Sequence, residues 1–280
     1  MLVSVIIPAY KADQTLRSGL SSVEAAMSRV RLHGINVEAI IAADDGQPHR
    51  YKPLESAHSF VRVVPGGKTA TGPSRARNRA IAVANGDFFA MLDADDAWSP
   101  NYLEQLVPMA TSAGAAFGRT EIVKVDGTQL DIFPRKTDQQ ELTLEDLGFW
   151  SASFHPLMTR ALLERNVLDR AQDVWSAAVT IAKLGGSAPL AATACYQLHL
   201  RDGSMTTADV YCSEVDRSYA RLAKLALSYK NSPPGLRSRL QNIWRQKSTH
   251  NKKFMHAQRR RAEAGRSLWP SFYHWRSAQT

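Results

Sequence analysis

The chain is short of cysteine, of long apolar runs and, in its last quarter, of acid. The only two cysteines, Cys195 and Cys212, fit no zinc-ligand spacing and are too few for a disulfide framework. Both read as free thiols in a reducing compartment. No apolar run approaches the roughly 18–20 residues of a membrane-spanning helix. The N-terminus lacks a basic leader and opens directly into Leu2-Val3-Ser4-Val5-Ile6-Ile7. It therefore reads as a first core strand rather than a signal peptide, with the cytoplasm as the expected location. Acid is missing from one end: residues 217–280 hold 15 of the 35 Lys and Arg but only one carboxylate, Glu263. That segment is +14 and the remainder −5, so the net +9 is the sum of an acidic body and a basic tail.

The body is rich in core-forming residues. At 44% hydrophobic and 22% charged, the composition suits a soluble globular chain. Strand and helix patterns alternate over the first hundred residues. Leu2–Pro8 reads as a buried strand. Leu16, Leu20, Val23, Met27 and Val30 recur at helical spacing behind Asp13, a candidate cap. Strands follow at 37–43, ending in Asp44-Asp45-Gly46, and at 60–64, ending in Pro65-Gly66-Gly67. A helix starts near Ser74. The run Phe88-Phe89-Ala90-Met91-Leu92 then stops at Asp93, Asp95 and Asp96. Ser99-Pro100 supplies an N-cap and first-turn proline for a helix carrying Leu103, Leu106 and Val107. This order predicts a mostly parallel α/β sheet. Ligands bind such sheets at the carboxyl ends of the strands, so three of those ends, Pro8-Ala9-Tyr10, Asp44-Asp45-Gly46 and Asp93-Ala94-Asp95-Asp96, should cluster.

On a continuing strand Asp93 and Asp95 would share one face, where paired carboxylates suit a hard cation, Mg²⁺ or Mn²⁺. An aspartate at 95 or 96 could equally cap the next segment. From 115 the pattern changes: a hairpin over 115–133, a loop-rich stretch over 134–156, helices at 157–164 and 174–184, and a strand at 191–198. Helical periodicity persists past 213 until Pro233-Pro234-Gly235. Gly66-Gly67-Lys68 lacks the other positions of a phosphate-binding P-loop and reads as a turn.

Val3-Ser4-Val5-Ile6-Ile7-Pro8-Ala9-Tyr10, Asp44-Asp45-Gly46, Arg75-Ala76-Arg77-Asn78-Arg79-Ala80, Gly86-Asp87 and Leu92-Asp93-Ala94-Asp95-Asp96 resemble, in order and spacing, glycosyltransferase family 2. The likeness is close over about residues 1–110 and looser to about 206. It implies the GT-A fold: Rossmann-like, with a mostly parallel central sheet and flanking helices. A catalytic domain would span 1–212, with 1–110 on the nucleotide-sugar side and 111–212 on the acceptor side. A basic, largely helical extension would occupy 213–280. The resemblance further implies an inverting, metal-dependent hexosyl transfer from a nucleotide-sugar, UDP-linked, in cell-surface polysaccharide or glycolipid synthesis.

By matching position, Pro8, Ala9 and Tyr10 would line the nucleotide site. Asp45, with Asp44 beside it, would accept from the uracil ring, and Arg77 and Asn78 would lie near base and diphosphate. Asp93-Ala94-Asp95 would form the DxD motif holding ribose and metal, with Asp95 or Asp96 as the direct ligand. In Gln172-Asp173-Val174-Trp175, Asp173 matches the general base, and Gln172 stands where the family usually has Glu. Taken alone, Asp173 reads first as an acid favoured by a helix N-terminus. His199 keeps the residue type of the family's late metal-proximal His, while Arg201 fits the following Gly-Ser spacing better and would neutralise diphosphate. Trp150, Ser151 and His155 fall where the family places acceptor contacts, although a Trp there could be core.

The basic tail carries Trp244, Phe254, Trp269, Phe272, Tyr273 and Trp275. That composition suits an anionic membrane surface through 232–280, on the inner face of the cell membrane, given a lipid-linked acceptor. Packing on the body or on a second copy in a homo-oligomer is the next reading, and nucleic acid the least favoured. Two rivals remain for the body. A nucleotidyltransferase would want glycine in the loop after the first strand, and Pro8-Ala9-Tyr10-Lys11-Ala12-Asp13 has none. A non-catalytic nucleotide-sugar binder of the same fold is the other.

Overall fold

The computed structural model describes residues 1–65, 69–150, 152–166, 171–201, 211–230 and 233–279. The Gly66-Gly67-Lys68 turn, Ser151 and the Asp202-Gly203-Ser204 segment lie outside them.

The first half follows the expected alternation. Strand β1 (Leu2–Ala9) leads through helix α1 (Leu16–Val30) to β2 (Asn36–Ala43). Helix α2 (Lys52–Ala57), β3 (Val61–Val64), α3 (Pro73–Val83) and β4 (Phe88–Met91) follow. The strands align in parallel as β3-β2-β1-β4. β1 is central and covered on both faces, so Val3, Val5, Ile6 and Ile7 are all fully buried. That is why it reads as a continuous apolar run rather than an alternating one. α1 buries Leu16, Leu20, Val23 and Val30 at helical spacing. Its N-cap position is Thr15, without a side-chain cap bond, and Asp13 instead pairs with Arg50 at 2.6 Å. Gly86 is required where the chain enters β4: a Cβ there would lie 2.5 Å from Ser4 Oγ and 2.7 Å from Ser4 N.

The second half completes one mixed sheet. A two-residue strand β5 (Ala97–Trp98) precedes helix α4 (Tyr102–Ala113), whose N-cap position is Asn101 rather than Ser99. Strands β6 (Ala115–Val123) and β7 (Gln129–Phe133) form the expected hairpin. The stretch read as loop contains β8 (Glu141–Thr143) and α5 (Leu144–Phe149). A capping box starts α5: Asp146 N–H donates to Thr143 Oγ1 at 3.2 Å, and Thr143 N–H to Asp146 Oδ2 at 2.9 Å.

Residues 157–164 are not helical. They supply β9 (Pro156–Thr159), which runs antiparallel between β4 and β6, followed by one 3₁₀ turn. Leu157 and Met158 point to opposite faces and are both buried, in different apolar clusters. A short run buried on both sides has no period that separates strand from helix. Helix α6 (Gln172–Lys183) and the long β10 (Ser187–His199) finish the sheet, with order β3-β2-β1-β4-β9-β6-β10-β5.

Helices α7 (Tyr211–Ser228), α8 (Arg237–Glu263) and α9 (Phe272–Ser277) pack on this frame. Leu222 and Ala226 of α7 and Leu240, Ile243 and Trp244 of α8 share one apolar cluster with Trp175 of α6 and Leu144 and Leu147 of α5. Trp244 is fully buried, its ring 6.0 Å from that of Trp175. At about 25 cal/mol per Å² over roughly 200 Å², burial of one such indole is worth about 5 kcal/mol. Gly148 permits the contact, since a Cβ there would sit 3.3 Å from Ile243 Cα. Most of the positive charge of α8 lies outside this core, Lys247 being the buried exception. Lys252, Lys253, His256, Arg260 and Arg261 border an open groove of about 860 Å³ with Trp269, whose ring lies under Arg261 at 4.7 Å. No described helix is long and apolar enough to cross a membrane.

Candidate active site

The carboxyl ends of β1, β2 and β4 meet because the strands are parallel and in register: Ala9 lies opposite Ala43, and Ile6 opposite Met91. The loops beyond them open into a cleft of about 540 Å³. Pro8, Ala9, Tyr10, Asp44, Arg77, Asp93, Ala94, Asp95 and Asp96 line it, joined from the other half by His155, Asp173, His199 and Arg201. The predicted clustering of strand ends is what the fold produces. Tyr10 is half exposed on the cleft, with the Lys11 ammonium 5.4 Å from its ring centroid. Lys11, Ala70 and Ala171 are the non-glycine residues with positive φ among those described, at 50°, 54° and 57°, and all three line the cleft. Such conformations cost of order 1–2 kcal/mol each and gather where surrounding structure over-determines them.

The aspartates do not continue a strand. After β4 the chain turns, with Asp96 N–H donating to Asp93 O at 3.0 Å, and the three carboxylates take different partners. Asp93 Oδ1 accepts from Arg77 Nη2 at 2.5 Å, and Asp95 pairs with Arg201. Asp96 is buried and accepts from the Tyr196 hydroxyl at 2.8 Å and from His199 N–H at 3.0 Å. Tyr196 also receives Asp93 N–H at 3.1 Å and stacks on His155, ring centroids 3.9 Å apart. Burial first, then repulsion from Asp93, raises the Asp95 pKa against the pull of Arg201. Burial and both neighbouring carboxylates push Asp96 well above its ordinary value. The turn is thus a site of crowded negative charge.

Asp173 faces that turn from the first turn of α6. Burial by itself would raise its pKa; His155, the Ser153 hydroxyl, Arg77 and Val174 N–H outweigh burial and hold it below the usual carboxylate value. Burial also depresses the pKa of His155, which is neutral at neutral pH. The hydrogen bonds and the Arg77 field therefore keep Asp173 ionised there. The Arg77 guanidinium is buried between Asp93 and Asp173 and ties the two halves of the site electrostatically.

Several predicted residues have other tasks. Asp44 anchors the loop before α3, accepting from Gly72 N–H and Arg79 Nη2, both at 2.8 Å, while still lining the cleft. Asp45 turns inward and accepts from Tyr51 Oη at 2.7 Å, Gln47 N–H at 2.9 Å and Lys11 N–H at 3.3 Å. Burial opposes these bonds, yet its carboxyl stays below the ordinary range. Asn78 lies off the cleft. Its amide exchanges hydrogen bonds with the Asn166 backbone, at 2.6 Å to the carbonyl and 2.9 Å from the N–H. Trp150 is buried in the α5/α6/α8 cluster and packs against Phe133 and Phe149 instead of facing the cleft. His155 does line it, and Ser151 lies outside the described residues. The sequence reading missed Tyr196 and Ser153, because a strand tyrosine and a loop serine carry no spacing rule.

A hard cation can be tested against these donors. Among the described residues, no three His, Cys, Asp or Glu converge to hold a metal by themselves. The available set is the Asp95 carboxylate on the cleft and His199 Nδ1, which is buried and makes no hydrogen bond. One or two carboxylates shared with substrate phosphates is the usual arrangement for Mg²⁺, and an added imidazole suits a transition metal, so Asp95 alone fits Mg²⁺ and Asp95 with His199 fits Mn²⁺, brought to the site with a diphosphate.

A family model described as Glycosyl transferase family 2 matches residues 4–168. The chain is 34% identical over 125 residues to UDP-Glc:alpha-D-GlcNAc-diphosphoundecaprenol beta-1,3-glucosyltransferase WfgD of Escherichia coli, covering 44% of this chain and 47% of the relative. It is 26% identical over 225 residues to succinoglycan biosynthesis protein ExoO of Rhizobium meliloti (strain 1021), covering 73% and 62%. The chain thus spans less than two thirds of either relative. Among solved structures, S. aureus TarS 1-349 in complex with UDP-GlcNAc superposes with a TM-score of 0.65 at 16% identity, over 86% of this chain and 70% of that one. The mannosyltransferase PcManGT from Pyrobaculum calidifontis in complex with GDP-Man and Mn²⁺ gives 0.58 at 18% identity, over 96% and 76%. At these identities the likeness shows the fold, which is GT-A.

Proposed function

Since the chain belongs to glycosyltransferase family 2, we propose that it moves a sugar from a UDP-linked donor to a hydroxyl of a carbohydrate or lipid-linked acceptor, with inversion. Cell-surface polysaccharide or glycolipid assembly is the setting that the relatives' names support. The observation that carries the reading is one cleft with an ionised carboxylate, Asp173, facing a crowded aspartate turn, and Arg77 buried between them.

In this reading the nucleotide lies along Pro8, Ala9 and Tyr10, with its base near Asp44 and its ribose at Asp93. The diphosphate reaches Asp95 and His199. Asp173 takes the proton from the acceptor hydroxyl as its oxygen attacks the anomeric carbon, and the bond to the diphosphate breaks on the opposite face. The Ser153 hydroxyl orients the Asp173 carboxylate for that transfer. Arg201, ion-paired with Asp95 in this structure, turns to the diphosphate when a donor is bound. A divalent cation, Mn²⁺ or Mg²⁺, held by Asp95 and His199 would stabilise negative charge on the departing diphosphate. Asp96, with both oxygens already accepting from Tyr196 and His199, shapes the turn rather than binding the ion.

The deciding experiment is a donor panel. With Mn²⁺, the chain should bind UDP and hydrolyse or transfer from one UDP-sugar. UDP binding without turnover on any donor or acceptor would sink the transferase reading and leave the non-catalytic binder.

The basic groove on α8 supports a peripheral position on an anionic membrane, the surface where a lipid-linked acceptor would lie. The quadruple change Lys252→Glu, Lys253→Glu, Arg260→Glu and Arg261→Glu spares the buried face of α8. It should cut co-sedimentation with anionic vesicles about tenfold or more, given about 1 kcal/mol per basic residue. Unchanged binding would remove the groove from membrane contact.

A further inference from the structure

Behind the catalytic cleft lies a second, smaller cavity of about 90 Å³. The two share Ser153, Ala171, Asp173 and Tyr273, so Asp173 stands in their common wall. Its far wall comes from the C-terminal helices and includes Lys247, His250 and Asn251 of α8. About 10–15 Å³ suffices for one water, so the space accepts a group of several heavy atoms.

Lys247 is unusual for a buried cation. It is 5% exposed, and its Nζ donates only to Trp150 O at 3.4 Å and Ala152 O at 3.5 Å. Charge-assisted bonds are normally about 2.7–2.9 Å long, so the ammonium is under-coordinated. It has no ion-pair partner among the described residues. Beside it His250 Nδ1 is buried and makes no hydrogen bond. Burial pulls the Lys247 pKa down to about 8 and that of His250 to about 4. Near pH 7 the lysine is therefore charged and the histidine neutral. Buried charge without a partner is normally paired or removed. Asp173, the acid in the cavity wall, raises the Lys247 pKa through its charge against burial but does not come within ion-pair distance, and it already accepts from the Ser153 hydroxyl and Val174 N–H.

We infer that this cavity is an acceptor subsite, in which Lys247 receives an anionic oxygen group, phosphate or carboxylate, of the acceptor sugar whose hydroxyl meets Asp173. The inference rests on the transferase reading and narrows it. Because Asp173 and Lys247 share one small cavity, the negative charge must lie within one sugar ring of the reacting hydroxyl. The acceptor is then a sugar carrying its own charge, either a glycosyl diphosphate or a uronate, rather than a neutral glycan.

The test is calorimetric, without turnover, on full-length protein saturated with UDP and Mn²⁺. Three probes are titrated: a hexyl N-acetylglucosaminyl diphosphate, a hexyl glucuronide and the neutral hexyl glucoside. One anionic probe should bind at least tenfold tighter than the neutral one, and which one does so identifies the source of the charge. Lys247→Met should shrink that preference below twofold, Lys247→Arg should keep part of it, and UDP affinity should stay unchanged in both. Lys247→Met should also melt no lower than wild type, since it removes an under-coordinated charge. Lys247→Gln repeats the test if the methionine variant does not fold. Equal binding of all three probes by wild type overturns the inference. So does a preference that survives in Lys247→Met or Lys247→Gln. A lowered melting point with unchanged preference marks Lys247 as structural. If the probes behave as expected but no donor is turned over, the transferase reading fails and the anionic subsite stands.

Discussion

Asp173→Asn is expected to lower kcat by about 10²–10⁴-fold, the usual contribution of a general base, with UDP affinity within about twofold of wild type. The substitution keeps shape and removes the proton acceptor. Asparagine can still receive the Ser153 hydroxyl and Val174 N–H, so the start of α6 should hold its form. Loss of kcat with donor binding intact separates a base from a helix-capping acid. The latter would change the melting point and leave kcat within a few-fold. The pH profile gives a second reading. The Asp173 pKa is depressed in the folded chain, so its carboxylate favours the folded state above the unfolded pKa. That contribution is lost as pH falls through the lower folded value. The same titration sets the acid limb of activity below the ordinary carboxylate range, so from about pH 5 to 8 Asp173 should impose no slope on kcat. An acid limb centred near pH 6–7 that disappears in Asp173→Asn would contradict this electrostatic account.

Asp95→Asn should have the next largest effect. The Mn²⁺ concentration for half-maximal activity is expected to rise on the order of 10–100-fold, with kcat falling similarly at fixed metal, the range seen when ligand shells are disturbed. The fold should be indifferent. Asp95 lies on the cleft, its pairing with Arg201 is partly exposed, and its charge is raised in energy by burial and by Asp93. Removing it should move Tm by no more than a few degrees. Asp96→Asn is the contrast: it disturbs the bonds from the Tyr196 hydroxyl and His199 N–H that join the turn to β10. Its cost should appear first as a lower Tm. Reversal of these two patterns, with metal dependence moving in Asp96→Asn and Tm in Asp95→Asn, would reassign the direct ligand to Asp96.

Much of the first half of the fold was legible in the chain. Buried parallel strands announce themselves as apolar runs, and their polar ends had to meet once β1, β2 and β4 aligned. Errors came where local pattern and tertiary packing diverge. The pattern over 157–164 suggests a helix because so short a buried run, Pro156, Leu157 and Met158 of β9, has no period that separates strand from helix. Residues 134–156 were read as loop although Thr143-Leu144-Glu145-Asp146 carries a capping box, a signal available in the sequence. Asp45, Asn78 and Trp150 were chosen by residue type and position, but direction decides their task. Asp45 points to Tyr51, Asn78 to the Asn166 backbone and Trp150 into the core.

By itself the sequence determined the family, the α/β alternation, the cluster of polar strand ends and the separation of charge between body and tail. All of these follow from residue identity, order and short-range spacing. Tertiary structure alone decided that Arg77 lies between Asp93 and Asp173, that Tyr196 and His199 hold Asp96, and that the basic tail is half core. It also set the buried Lys247 beside Asp173. The hydrogen bonds of the aspartate turn join residues 16 to 103 positions apart, and residue type alone does not separate a surface charge from a ligand or a partner. Only the packing that removes water from around a charged side chain fixes which, because desolvation is what makes its pairing matter.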